Sequence, residues 1–158
     1  MAQKIPASFH PSSRSACREQ AARQFGGLFE QALADRADTV RQIAVDGLVN
    51  VSADKASALR RLRTDLGGDA SPIIRVKLID LAGEAGGAQE LAWLVEKLGV
   101  AGEGDPAWQA IMKILRRSNS IVLAEWAARI KSPAMAGKTT SEQQVSFFTL
   151  AEQKAQTE

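Results

Sequence analysis

The 158-residue sequence predicts an all-α protein built as a row of stacked helix pairs. Two interleaved spacings carry the prediction. Val40, Ile74 and Trp108 are 34 residues apart, as are Ala44, Leu78 and Met112 one turn further on. Leu59, Leu91 and Leu123 are 32 apart, and the same interval separates Leu62, Leu94 and Trp126, and Leu66, Leu98 and Ile130. Composition agrees: 45% hydrophobic and 5% aromatic residues with no tyrosine suit Leu/Ala-packed helices better than a β-sandwich. An arbitrary bundle has no reason to keep two constant periods. An array does, because one pair cannot bury its own apolar stripe and must stack on the next.

In chain order, residues 1–15 are rich in Pro and Ser with little to bury, and read as a flexible arm. Over 16–36 an N-terminal capping helix is expected, since Phe25, Leu28, Phe29, Ala32 and Leu33 recur at helical spacing. Gly26 and Gly27 interrupt it at about 1 kcal/mol each relative to alanine. Either two short helices result, or one helix closely approached by a neighbour. The array follows at 37–131, in pairs 37–68, 70–99 and 105–131. Pro72 and Pro106 should open their helices behind the capping residues Ser71 and Asp105. Gly67 and Gly99 stand where C-caps belong, and the AGEAGG stretch holding Gly83, Gly86 and Gly87 reads as a helix end. Residues 132–140 read as a linker. The helix of 141–158 should begin with a capping box between Thr140 and Gln143. Its Val145, Phe147, Phe148 and Leu150 spread over more than one stripe, so it should touch more than one neighbour. The two flanking helices would close the array, or one end would dock on another chain.

This pattern resembles HEAT repeats, particularly the short bacterial HEAT-like units. The likeness lies in Val40, Arg41 and Ala44, in Pro72, Ile74, Arg75, Leu78 and Leu81 with the following AGEAGG, and in Asp105 and Pro106. In the third pair Gln109 replaces the arginine and Trp108 the branched aliphatic residue. The resemblance implies a right-handed α-α superhelix, a solenoid of about three pairs with flanking helices, its second helices lining a concave surface. It also implies a protein-binding scaffold rather than an activity. Arg41 and Arg75 would then be structural, bonding a neighbouring pair's acid or helix end, with Asp46 and Asp80 as candidate acids. Tetratricopeptide repeats share the 34-residue period, but their tryptophan, glycine, tyrosine and proline pattern is missing.

Charge and motifs narrow the function. A net charge of +2 creates no bulk field toward nucleic acid or anionic membrane. Cys17 has no intrachain disulfide partner, and its only histidine companion is His10, too few ligands for a zinc site. No metal or cofactor is expected. P-loop, GxSxG and HExxH motifs are absent, so a repeat-domain lyase or glycosylase ranks last among the readings. No apolar run suits a signal peptide or a membrane span, and a cytoplasmic location is expected.

Trp93 is the most informative residue. With Leu91, Leu94 and Leu98 at the core it falls about 150° away at 100° per residue, and should face outward. The register places Arg61 and Glu125 beside it, with Asp65, Lys97 and Arg129 one turn on. Arg61, Trp93 and Glu125, supported by Lys97 and Arg129, are therefore the expected contacts of a non-catalytic scaffold or adaptor binding a protein partner. On a solvated face the same residues would form Arg61–Asp65 and Glu125–Arg129 pairs and a Trp93–Lys97 cation–π contact. Trp93 could instead be covered by the N-terminal arm or the C-terminal helix, a reading that ranks second. Trp108 and Trp126 lie within the apolar stripes and read as core. A second candidate surface is Lys113, Arg116 and Arg117, on the outer face of one helix, in a 106–141 stretch of net charge +5. It would serve a nucleic acid or an acidic partner.

Overall fold

The computed structural model describes Gln20 and residues 24–156, and every regular element among them is helical. The expected arm at 1–15, with His10, lies outside the described residues, as does Cys17. The chain divides into two compact units, Met1–Asp54 and Lys55–Glu158. The division falls between the two helices of the first expected pair.

The first unit holds helix α1, over 24–32, and α2, Asp38–Val51. The helix runs straight through Gly26 and Gly27, and nothing stands within 4 Å of a Cβ built on either. The close approach offered there as one of two alternatives occurs instead at Gly47 of α2, where the Phe29 ring occupies the space a Cβ would need. Ala44, Val45 and Val49 form the buried face of α2.

The second unit contains α3 (Lys55–Leu66), α4 (Pro72–Ala85), α5 (Leu91–Lys97), α6 (Gly104–Arg117), α7 (Ser120–Ile130) and α8 (Ser141–Ala155). Helices pack mainly on sequence neighbours or next-neighbours. The most extensive contact is α4 on α6, followed by α3 on α4, α5 on α6 and α7 on α8. Flanked by α3 and α6, α4 is buried on most of its circumference, at Ile74, Leu78, Ile79, Leu81, Ala82 and Gly83. A helix apolar nearly all round requires such a position. Trp108 and Trp126 are both buried, as their stripes predicted.

Helix ends depart from expectation in instructive ways. Pro72 does open α4, but Ser71 makes no side-chain cap. Pro106 is third in α6, which starts at Gly104 with Glu103 as its N-cap residue. Proline is tolerated there because the first-turn N–H groups have no intrahelical acceptor. Gly67 donates its N–H to Arg63 O at 2.9 Å, yet neither Gly67 nor Gly99 has positive φ, so neither forms a left-handed cap. Gly83 lies inside α4 rather than at its end, and Ala110 of α6 crosses against it. The capping box of α8 forms as predicted, with Gln143 N donating to Thr140 Oγ1 at 3.1 Å and Thr140 N donating to Gln143 Oε1 at 3.0 Å. The connection before it is anchored: a 3-10 turn, Pro133–Met135, buries Met135 completely, and Gly137 then turns the chain at φ 76°.

Candidate functional site

A repeat is visible in hydrogen bonds as well as in apolar spacing. Before α2, Asp35 Oδ1 accepts from Ala37 N at 2.8 Å, while Arg41 Nη1 donates to the carbonyls of Asp35 and Arg36 at 2.9 and 3.1 Å. Before α4, Asp69 Oδ1 accepts from Ser71 N at 2.8 Å, and Arg75 Nη1 donates to the carbonyls of Asp69 and Ala70 at 2.5 and 3.1 Å. Each residue of the second set lies 34 positions after its counterpart in the first. The acid turns the chain and the arginine ties its carbonyls to the helix that follows.

Thirty-four residues beyond Asp69 stands Glu103, where Gln109 has replaced the arginine. Glu103 is 2% exposed and is held from outside its own pair: Arg75 Nε donates to Oε1 at 2.6 Å and Lys97 Nζ lies 3.2 Å from Oε2. Burial alone would raise its carboxyl group, but the hydrogen bonds and charges of Arg75 and Lys97 outweigh that and hold it below its ordinary range. The inter-pair contact expected for Arg75 therefore exists, with Glu103 as the acid. Asp80, the acid expected from register, makes no ion pair among the described residues.

Trp93 sits at the centre of this network. Its half-buried ring has the Arg63 guanidinium 5.4 Å and the Lys97 ammonium 5.7 Å from its centroid. Arg63 is hydrogen-bonded to Glu90, a fully buried carboxylate in the short 3-10 turn that leads into α5. Two buried acids thus hold two cations against one indole, in an unbroken chain Glu90–Arg63–Trp93–Lys97–Glu103–Arg75. The Trp93–Lys97 contact is one that the solvated-face alternative offered. Arg63, Glu90 and Glu103 were not expected, although two signals were available. Arg63 borders the apolar stripe of α3, four residues after Leu59, and Glu103 keeps the register of Asp35 and Asp69.

The remaining predicted contacts are placed as follows. Arg61 is exposed, 3.7 Å from Asp65 of its own helix. Glu125 and Arg129 are exposed on α7. No ion pair links them; the Arg129 guanidinium lies over the Trp126 ring at 5.7 Å instead. Both line an open groove of about 290 Å³ between α5 and α7.

The basic trio does not share one open face, as the sequence suggested, because α4 packs against part of it. Lys113 reaches Glu84 of α4 at 3.7 Å, and Arg117 Nη2 donates to the carbonyls of Gly83 and Gly86 at 2.7 and 3.2 Å, closing the C-terminal end of α4. Arg116 points the other way, into a groove of about 340 Å³ against α8. Farther on, Lys131 covers the Phe148 ring at 5.1 Å and Lys154 bonds the Ser118 carbonyl.

The described residues therefore define an all-helical protein of eight helices packed mainly between neighbours. Comparison with protein-family models, with curated proteins and with solved structures found no match. None of the described helices is long and apolar enough to cross a membrane, and no group of three or more His, Cys, Asp or Glu among the described residues could hold a metal ion.

Proposed function

We propose that the protein is a non-catalytic scaffold or adaptor that holds a partner protein on the surface presented by α3, α5 and α7. In this reading the helix pairs form a HEAT-like right-handed superhelix and that surface is its concave side. The observation that carries it is the arrangement at Trp93: a half-buried indole bracketed by Arg63 and Lys97, each tied to a buried carboxylate. Tryptophan and arginine dominate binding energetics at interfaces, and side chains already held in place lose little further freedom when a partner docks. Exposed Arg61, Glu125 and Arg129 would form the polar rim around the aromatic centre.

The rival reading, a nucleic-acid surface on Lys113, Arg116 and Arg117, loses support from their contacts. Lys113 and Arg117 are already engaged with α4, so a phosphate would have to displace internal partners. The deciding experiment is a pull-down at physiological salt, with and without nuclease, comparing wild type with Trp93→Ala and Arg61→Glu. Circular dichroism would verify that each variant is folded. A partner that resists nuclease and is lost with either substitution supports the scaffold. If all recovered material vanishes with nuclease and ignores both substitutions, the scaffold reading is refuted. Steep salt dependence, near one logarithmic unit per phosphate contact, would point the same way.

A further inference from the structure

The groove between α5 and α7 combines features that the Trp93 cluster does not explain. Leu91, Ala92, Val122 and Trp126 give it an apolar lining, and Glu125 and Arg129 stand beside them as exposed charges of opposite sign, one turn apart. Trp126 is 3% exposed, yet its indole Nε1–H has no hydrogen-bond acceptor among the described residues. That donor is itself buried, out of an incoming group's reach, so the recognition chemistry of the groove lies in its apolar lining and its exposed charges. The Arg129 guanidinium over the same ring has no carboxylate partner among the described residues, and Glu125 has no cation.

We propose that this groove receives one apolar side chain of an extended partner segment. The segment's neighbouring acidic side chain lies against Arg129. This deepens the scaffold reading and rests on it. A volume of about 290 Å³ falls just below the usual range of pockets that enclose a whole small molecule. It suits a single inserted side chain. Charge complementarity selects the rest of the occupant: Arg129 recruits an acid, while Glu125 takes a backbone N–H or a base on the other side of the anchor. The same Glu125 repels a phosphate backbone, which disfavours nucleic acid as the occupant.

The test uses the full chain as bait for a displayed random peptide library, followed by binding measurements with the enriched peptides synthesised singly. Enriched sequences should share an apolar residue next to Asp or Glu. Arg129→Glu should weaken them by about tenfold or more, the scale of one charge-assisted hydrogen bond, and changing the peptide's acid to Lys should restore binding. Trp126→Phe identifies the Trp126 indole N–H resonance by its disappearance, and in wild type that resonance should shift when peptide is added. Arg129 is exposed, so its variant remains informative even if Trp126→Phe folds poorly. A library that enriches no such sequence overturns the groove assignment, as do enriched peptides that bind Arg129→Glu unchanged. If those peptides are lost with Trp93→Ala, or the pull-down still yields a nuclease-resistant, Trp93-dependent partner, the scaffold reading survives and only the groove falls.

Discussion

Replacing Gly83 by alanine should destabilise the second unit, although alanine is the better helix former. A Cβ at position 83 would stand 2.7 Å from Ala110 Cα, 2.9 Å from Ala110 Cβ and 3.2 Å from Lys113 Cδ. Carbon atoms in contact prefer about 3.5–4.0 Å, so α4 and α6 would have to separate by roughly an ångström where they pack most extensively. Overpacking of this kind costs about 1–3 kcal/mol, offset by about 1 kcal/mol of helix propensity, which leaves a net loss of up to about 2 kcal/mol. Urea denaturation followed by far-UV circular dichroism measures it. Gly27→Ala is the matched control: nothing lies within 4 Å of its added Cβ, so the same substitution should be neutral or stabilising. Adding Ala110→Gly should give little rescue, because the nearest obstacle is the Ala110 Cα, part of the backbone. A Gly83→Ala midpoint above wild type would refute the close crossing of α4 and α6.

Three further outcomes are expected. Glu103 has a folded-state carboxyl held below its ordinary value of 4.5, so its contribution to stability is complete above that pH and is lost as pH falls through the lowered value. Urea midpoints measured from pH 7 down to 3 should therefore fall less steeply for Glu103→Gln than for wild type, and an identical slope would exclude the Arg75–Glu103–Lys97 arrangement. Thr140→Ala removes the acceptor for Gln143 N and should cost about 0.5–2 kcal/mol, read as a lower melting temperature. Met135→Ala empties a fully buried site in the 3-10 turn and should cost about 2–5 kcal/mol, whereas a loose linker at 132–140 would tolerate it.

Helix content, the apolar stripes and the α8 capping box were legible in the sequence because each depends on residues within a turn or two of one another. Leu59, Leu62, Leu91, Leu94, Leu123 and Trp126 are buried where the period placed them. The capping box needs only Thr140 and Gln143, whose spacing settles its geometry. Even the Asp35–Arg41 and Asp69–Arg75 ties are local, and their 34-residue echo could have been read from the acids as well as from the arginines. Start points were less legible: α6 begins at Gly104, ahead of Pro106, because the buried N-cap residue Glu103 is fixed by Arg75 and Lys97.

The contacts of the candidate site were decided elsewhere. Sequence pattern put Trp93 off the apolar stripe, but only packing brought Arg63 from α3 over its ring and buried Glu90 and Glu103 behind the cations. Packing also divided Lys113 and Arg117 from Arg116, since one side of α6 meets α4 and another meets α8. A charged side chain beside an apolar stripe can turn to solvent or to the next helix with equal local cost. The choice belongs to the neighbour, through the buried acid or open carbonyl it offers, and that neighbour lies about 30 residues away in the chain. Periodicity by itself therefore determined which stretches are helical and which faces are apolar; tertiary structure decided which charges meet between helices.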